Sequence, residues 1–164
     1  MLIAILSDIH DNTANLRTAI DKALAHGCTH MLFLGDMAEP ATLRLLRQLW
    51  PHELDLVPGN NDFPRSHFQS FAESAPLTRY HDAGADICVG GRRIYMTHEP
   101  QHGVLYAAES GEFDLVLFGH THRAGQQKHA STIVANPGDL QGRYGDPSFA
   151  IYDTAAHSLQ HIQL

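Results

Sequence analysis

Four polar clusters carry side chains able to hold a metal ion: Asp8-Ile9-His10, Gly35-Asp36, Gly59-Asn60-Asn61-Asp62 and Gly119-His120-Thr121-His122. A lone His98 stands between the third and the fourth. Together they offer the carboxylates of Asp8 and Asp36, the amide oxygen of Asn60, and the imidazoles of His10, His98, His120 and His122. Imidazole with carboxylate suits Mn, Fe, Co, Ni or Zn, and is a poorer match for all-oxygen Ca or Mg sites. Seven side chains are too many for one four- to six-coordinate ion and fit two ions sharing a bridging carboxylate. In an extended chain residues i and i+2 point the same way. Strand alternation is therefore expected to aim Asp8 with His10, and His120 with His122, into one cavity. Two divalent ions about 3.5–4 Å apart can hold a hydroxide between them and clamp phosphate oxygens. The cations lower the pKa of the bound water, so it is a nucleophile near neutral pH. In-line attack on phosphorus, with the metals absorbing the growing negative charge, is phosphoester hydrolysis.

These clusters need elements to position them, and the chain supplies short apolar runs that stop where each cluster begins. Leu2–Leu6 precedes Asp8, Met31–Leu34 precedes Asp36, and Leu54–Val57 precedes Asn60. Arg92–Thr97 precedes His98 and Leu115–Phe118 precedes His120. Ligands of open α/β sheets bind beyond the carboxyl ends of the strands. Between the runs, Leu16, Ala19, Ile20, Ala23 and Leu24 have helical spacing, closed by Gly27. Ala41–Trp50, Arg65–Glu73 and Val104–Glu109 are further predicted helices. Asp86–Val89 and Arg92–Thr97 flank Gly90-Gly91, a hairpin signal. Thr132–Ala135, Phe149–Tyr152 and Ser158–Gln163 are expected as strands. The order β-α-β-α-β-α, then mostly strands with one helix, predicts an α/β layered fold with helices packed on sheet.

Composition narrows the class. The 164 residues fit one domain, 1–164, and can bury a full core without staples. With 43% hydrophobic and 18% charged residues, disorder and a coiled coil are excluded. No apolar stretch suffices for a membrane span, and MLIAILSDIHDN is expected to be a first buried strand rather than a signal peptide. Cys28 and Cys88 make no disulfide framework, so a reduced, cytoplasmic chain is expected. Both are expected as small buried residues. The net charge of −7, with only eleven Lys and Arg, argues against an extended nucleic-acid surface. Two divalent ions would offset more than half of that charge.

With these motifs in hand, the chain resembles the calcineurin-like metallophosphoesterase family, in particular its small YfcE-like phosphodiesterase group. The family pattern D-x-H, G-D, G-N-x-D, a lone His after a strand, and G-H-x-H stands here in order, and Asn136-Pro137-Gly138 matches the small members. The resemblance spans residues 2–152. It implies a single-domain, four-layer α/β/β/α sandwich with two transition metals at one edge of the sheets, manganese first among them, with Ni, Zn, Fe or Co as alternatives. It implies that Asp8, His10, Asp36 and His122 hold the first metal, and that Asp36, Asn60, His98 and His120 hold the second. It implies a small phosphodiester or nucleotide-like substrate; small relatives often self-associate, which leaves a homo-oligomer and a monomer both open, and no membrane partner is expected. Larger members carry His where this chain has Asn61, and an amide cannot protonate a leaving alkoxide at useful rates. Phosphodiesterase activity with weak phosphatase activity is therefore expected. His67 and His102 lie near the motif loops and are candidates to replace the missing acid. Asp62 is expected at the reacting centre with Asn61, orienting it or ligating a metal, with an Asx turn as the equal alternative. The Glu99-Pro100 that follows His98 and the Asp139 that follows Asn-Pro-Gly depart from the pattern.

Competing readings remain. A scaffold on the same fold would have broken ligand positions, whereas all seven are filled here. A narrow phosphomonoesterase is disfavoured by Asn61, and a nuclease by the lack of a basic track. His26, His30 and His157 are expected at the surface and Trp50 as core; Arg123 and Arg143 are expected as solvated cations, with a reach to substrate phosphate as the alternative.

Overall fold

The computed structural model describes residues 1–164. Its first sheet grows from β1 (Leu2–Leu6), followed by α1 (Thr13–Ala25), β2 (His30–Phe33), α2 (Pro40–Leu49), β3 (Glu53–Leu56), α3 (Arg65–Ser74) and β4 (Thr78–Tyr80). The four strands are parallel, as helical crossovers require. The chain then forms a second sheet from β5 (Gly84–Val89), β6 (Arg92–Thr97), α4 (Val104–Ser110), β7 (Leu115–Leu117), β8 (Gly125–His129) and β9 (Thr132–Asn136). It returns to the first sheet with β10 (Ser148–Asp153), antiparallel to β1, and β11 (Ser158–Gln163). The spatial orders are β11-β10-β1-β2-β3-β4 and β5-β6-β7-β9-β8.

Side-chain alternation along the strands builds three apolar layers. On β1, Ala4 and Leu6 face α1 and α2, where Leu16, Ile20, Leu43, Leu46 and Trp50 complete the first layer. Ile3 and Ile5 face the other way, into a layer shared with Ile94, Met96, Leu115 and Leu117 of the second sheet. Val116 and Val134 turn outward from that sheet onto Val104, Ala107 and Ala108 of α4. A strand buried on both faces needs a continuous apolar run. This is the expected α/β/β/α order of layers. No helix is long and apolar enough to cross a membrane.

Local chemistry fixes the element ends. Asn12 caps α1 by accepting from the Asn15 amide at 3.2 Å. Gly27, at φ +80°, turns the chain out of that helix. Trp50 is fully buried, and its indole N–H donates to the Glu53 carbonyl at 3.0 Å.

Two expectations fail. Cys28 is buried, but Cys88 on β5 is exposed. His30 is not a surface residue: it is 2% exposed and meets the buried Asp55 at 2.8 Å. His81 reaches the other Asp55 oxygen at 2.7 Å, and Arg79 donates to both. Burial alone would raise the Asp55 carboxyl; the hydrogen bonds from His30, His81 and Arg79, with the Arg79 charge, outweigh it and hold the group well below the usual range.

Candidate metal centre

The loops that leave β1, β2, β3, β6 and β7 meet at one edge of the two sheets, and their backbones are stitched together. The Asp8 amide donates to Gly35 O and the His10 amide to Asp36 O, both at 3.0 Å. The Gly119 amide donates to His98 O at 2.9 Å. The carboxylate of Asp62 ties the middle loops, accepting from the amides of Asp36 (2.9 Å), Gly59 (2.8 Å) and Ala38 (2.9 Å). Both its oxygens are thus engaged with backbone, so the structure corrects its expected place at the reacting centre: Asp62 positions the loop that carries Asp36. Burial raises its carboxyl above the usual range, against the pull of those amides.

All seven expected ligand residues converge. Asp36 Oδ2 lies 3.5 Å from His10 Nε2 and 3.4 Å from His98 Nε2. Asp8 Oδ1 lies 3.3 Å from His122 Nε2 and 3.9 Å from His10 Nε2. Asn60 Oδ1 sits between His98 Nε2 (3.2 Å) and His120 Nδ1 (2.9 Å). The His10 and His122 rings stack with centroids 5.1 Å apart. Asp8, His10 and His122 form one compact donor group; Asp8, Asp36 and His98 form another.

The pairs do not meet by strand alternation, as the i, i+2 spacing suggested. Asp8 (φ +53°), His10 (+43°), Asp36 (+61°), His120 (+63°) and His122 (+57°) all adopt left-handed backbone. Such conformations cost non-glycine residues about 1–3 kcal/mol each and cluster at functional sites. The side chains converge because the chain kinks at each of them.

Proton positions test whether a cation fits. His98 Nδ1 faces the Leu34 carbonyl at 2.6 Å, and His122 Nδ1 faces Asp139 Oδ2 at 2.8 Å. Donation there leaves each Nε2 with a lone pair aimed at oxygens of Asp36, Asn60 or Asp8. Lone pairs facing lone pairs at such distances repel unless a cation or proton stands between them. Asp8 Oδ1 and His10 Nε2 are buried without any hydrogen-bond partner, although such atoms are normally satisfied. This donor set fits divalent transition metals.

The same contacts shift the ionisable groups. Burial raises the Asp8 carboxyl, partly offset by the His98 charge and a hydrogen bond from Ser7. Burial also acts to raise Asp36, but the His98 bond and charge and two bonds from Asn61 hold it well below the usual range. Those bonds run from Asn61 N and Nδ2 to the two Asp36 oxygens at 2.8 and 2.7 Å. Burial pulls the His98 imidazole down, and Asp36 and Asp8 more than reverse this.

Around the centre, the sequence reasoning missed the roles of Asp139 and Arg143 and passed over Tyr144. Asp139 is 3% exposed and orients His122, which explains an acid after Asn-Pro-Gly. Arg143 and Tyr144 line the cleft over the ligands, a cavity of about 240 Å³. Only the Asp after Asn136-Pro137-Gly138 left a signal; the other two lie in a loop without periodicity. His67, His102, Glu99 and Arg123 do not line the cleft. Asn136 donates to Gly119 O (2.8 Å) and Thr121 Oγ1 (3.0 Å), shaping the His120-Thr121-His122 loop. Asp139→Asn is expected to weaken divalent-metal affinity about tenfold, because His122 loses a charged partner. Titration calorimetry of the metal-stripped variant checks this.

Comparison with known proteins places the geometry in a family. Phosphodiesterase MJ0936 of Methanocaldococcus jannaschii is 27% identical over 166 residues, covering 100% of this chain and 99% of that protein. The structure described as a novel archaeal phosphodiesterase superposes with a TM-score of 0.93 at 26% identity, covering 100% of both chains. YfcE, a phosphoesterase from E. coli, shares the fold with a TM-score of 0.68 at 17% identity, covering 99% of both chains. Residues 1–157 match the calcineurin-like phosphoesterase superfamily domain. Its strands, its histidine- and aspartate-bearing loops and this match agree: the chain belongs to the calcineurin-like phosphoesterase superfamily.

Proposed function

We propose that residues 1–164 form one phosphodiesterase domain that works with two divalent transition-metal ions, manganese first among the candidates. The observation that carries this reading is Asp36 Oδ2 lying within 3.5 Å of both His10 Nε2 and His98 Nε2, a carboxylate oxygen between two imidazoles that face it. Asp8, His10, Asp36 and His122 would hold one ion. Asp36, Asn60, His98 and His120 would hold the other, with Asp36 shared. The pair would supply an acidified water and positive charge on the phosphate oxygens. The chain's own residues do the rest. Asp139 and the Leu34 carbonyl fix two ligand imidazoles in their tautomers. Asn61 holds Asp36 by donating to it.

Diester substrates follow from Asn61 and from the relative named a phosphodiesterase. With an amide at this position no strong acid stands ready for a leaving alkoxide, which favours leaving groups that need little protonation. The cleft is small, which suits a small substrate. A net charge of −7 opposes an extended nucleic-acid track.

The test is turnover of bis(p-nitrophenyl) phosphate and p-nitrophenyl phosphate by chelator-stripped protein refilled with Mn, Ni, Zn or Mg in turn. Diester cleavage that returns with a transition metal supports the proposal. Absence of both metal binding and turnover overturns it in favour of a scaffold. A second variant probes the leaving-group side. Asn61→His is expected to raise the monoester-to-diester rate ratio about tenfold or more, by restoring a group able to give a proton. An unchanged ratio places position 61 away from the leaving group.

A further inference from the structure

Residues 141–147 form a loop beside the metal-ligand cluster, turned at Gly142, whose φ is +76°. Tyr144 in this loop is 63% exposed. Its ring stands edge-on to His122, centroids 5.8 Å apart and planes at 89°. The Arg143 guanidinium carbon lies 5.3 Å from the centre of the same ring. Both side chains line the ligand cleft, and Arg143 is the one Lys or Arg that does so. The loop is tied to the centre, since the Arg143 amide donates at 3.0 Å to the Asp139 oxygen that His122 Nδ1 faces at 2.8 Å.

A single exposed aromatic side chain needs no explanation. An aromatic ring with a guanidinium beside it, at the mouth of a phosphoester cleft, has a chemistry of its own. Both groups are flat and stack on other flat groups, and the guanidinium adds a cation for an anionic ester. Neither is needed to hold the ligand set, which is complete without them.

We propose that Arg143 and Tyr144 form the subsite for an organic substituent of the substrate, and that it selects aromatic substituents, an aryl ring or a nucleobase, over alkyl ones. This rests on the phosphodiesterase reading above. The subsite would fix which diesters are turned over, while the ligand set with Asn61 fixes that diesters are cleaved.

The test compares phenyl p-nitrophenyl phosphate with methyl p-nitrophenyl phosphate, which lose the same p-nitrophenolate. In manganese-loaded protein the phenyl ester is expected to have the higher kcat/KM. Tyr144→Ala should lower the phenyl-to-methyl ratio about tenfold, the size of one stacking contact, and Tyr144→Phe should retain it. Arg143→Ala should raise KM for both esters. Calorimetric binding of phenylphosphonate and methylphosphonate gives the same ratio without turnover. A ratio unchanged in Tyr144→Ala by both readouts overturns the subsite and leaves the phosphodiesterase reading standing. If neither ester is cleaved by the loaded native protein, that reading fails, and the phosphonate ratio alone decides the subsite.

Discussion

Asparagine in place of Asp36 is expected to cut metal-dependent turnover by at least about 10³-fold. Asp36 stands close to both halves of the ligand set, with one oxygen 3.5 Å from His10 Nε2 and 3.4 Å from His98 Nε2. An amide offers one neutral oxygen in place of two anionic ones. It also meets the two Asn61 donors with an N–H₂ group on one side, so the substituted side chain cannot keep both bonds. Metal content per chain, measured after equilibration and gel filtration, should fall at both positions together. Asn60→Ala, which removes a donor facing His98 and His120 only, should weaken one position. Circular dichroism separates this from unfolding, since the buried apolar layers are untouched. Full activity in Asp36→Asn would rule out a shared carboxylate.

Gly59→Ala is expected to lower turnover about 10²-fold without altering any ligand. A Cβ on Gly59 would collide with the Oδ1 and backbone N of Asp36 and lie 2.7 Å from its Cγ. The neighbours are backbone and a carboxylate held by Asn61, so neither yields cheaply. Displacing a reacting group by about 1 Å costs roughly two orders of magnitude in rate. Overpacking of this kind also costs about 1–3 kcal/mol of stability. That corresponds to roughly 2–4 °C of melting temperature per kcal/mol for a chain of this size. Gly125→Ala is the control: nothing lies within 4 Å of a Cβ there, and melting point and rate should stay. If Gly59→Ala behaves like Gly125→Ala, the tight approach of the β3 loop to Asp36 is not needed for activity.

The fold was legible wherever apolar residues repeat. β1 occupies the residues of its apolar run, and α1, α2, α3 and α4 lie where spacing predicts them, with ends shifted by a few residues. β8 was not legible. Its sequence, Gly-Gln-Gln-Lys-His, lies exposed at a sheet edge and carries no apolar alternation, so only pairing with β9 reveals it. β4 is three residues long, with none buried, too short for a period to show. His30 was misjudged for a different reason: a buried polar pair looks like a surface pair in sequence, because Arg79, which shares its partner Asp55, is far along the chain. In the centre, residue types announced themselves by motif, while the roles of those that orient them did not. Asp139 and Asp62 act through hydrogen bonds to an imidazole and to backbone amides, which no spacing encodes. The i, i+2 pairs were found from a geometry the chain does not use, since left-handed residues, not strand alternation, turn them toward the centre.

Those kinks bear on how such a protein ages over generations. Five histidines and aspartates of the centre sit where glycine would be at ease. Each left-handed residue is disfavoured by about 1–3 kcal/mol, a large share of the 5–15 kcal/mol that keeps a domain folded. Glycine at such positions relieves backbone strain while deleting a side chain needed for turnover. The strain at these codons is thus held in place by the reaction, not by the backbone. Only continued demand for the reaction maintains it. In a lineage released from that demand, Asp8, His10, Asp36, His120 and His122 should erode before the apolar layers do, leaving an intact sandwich free for other employment.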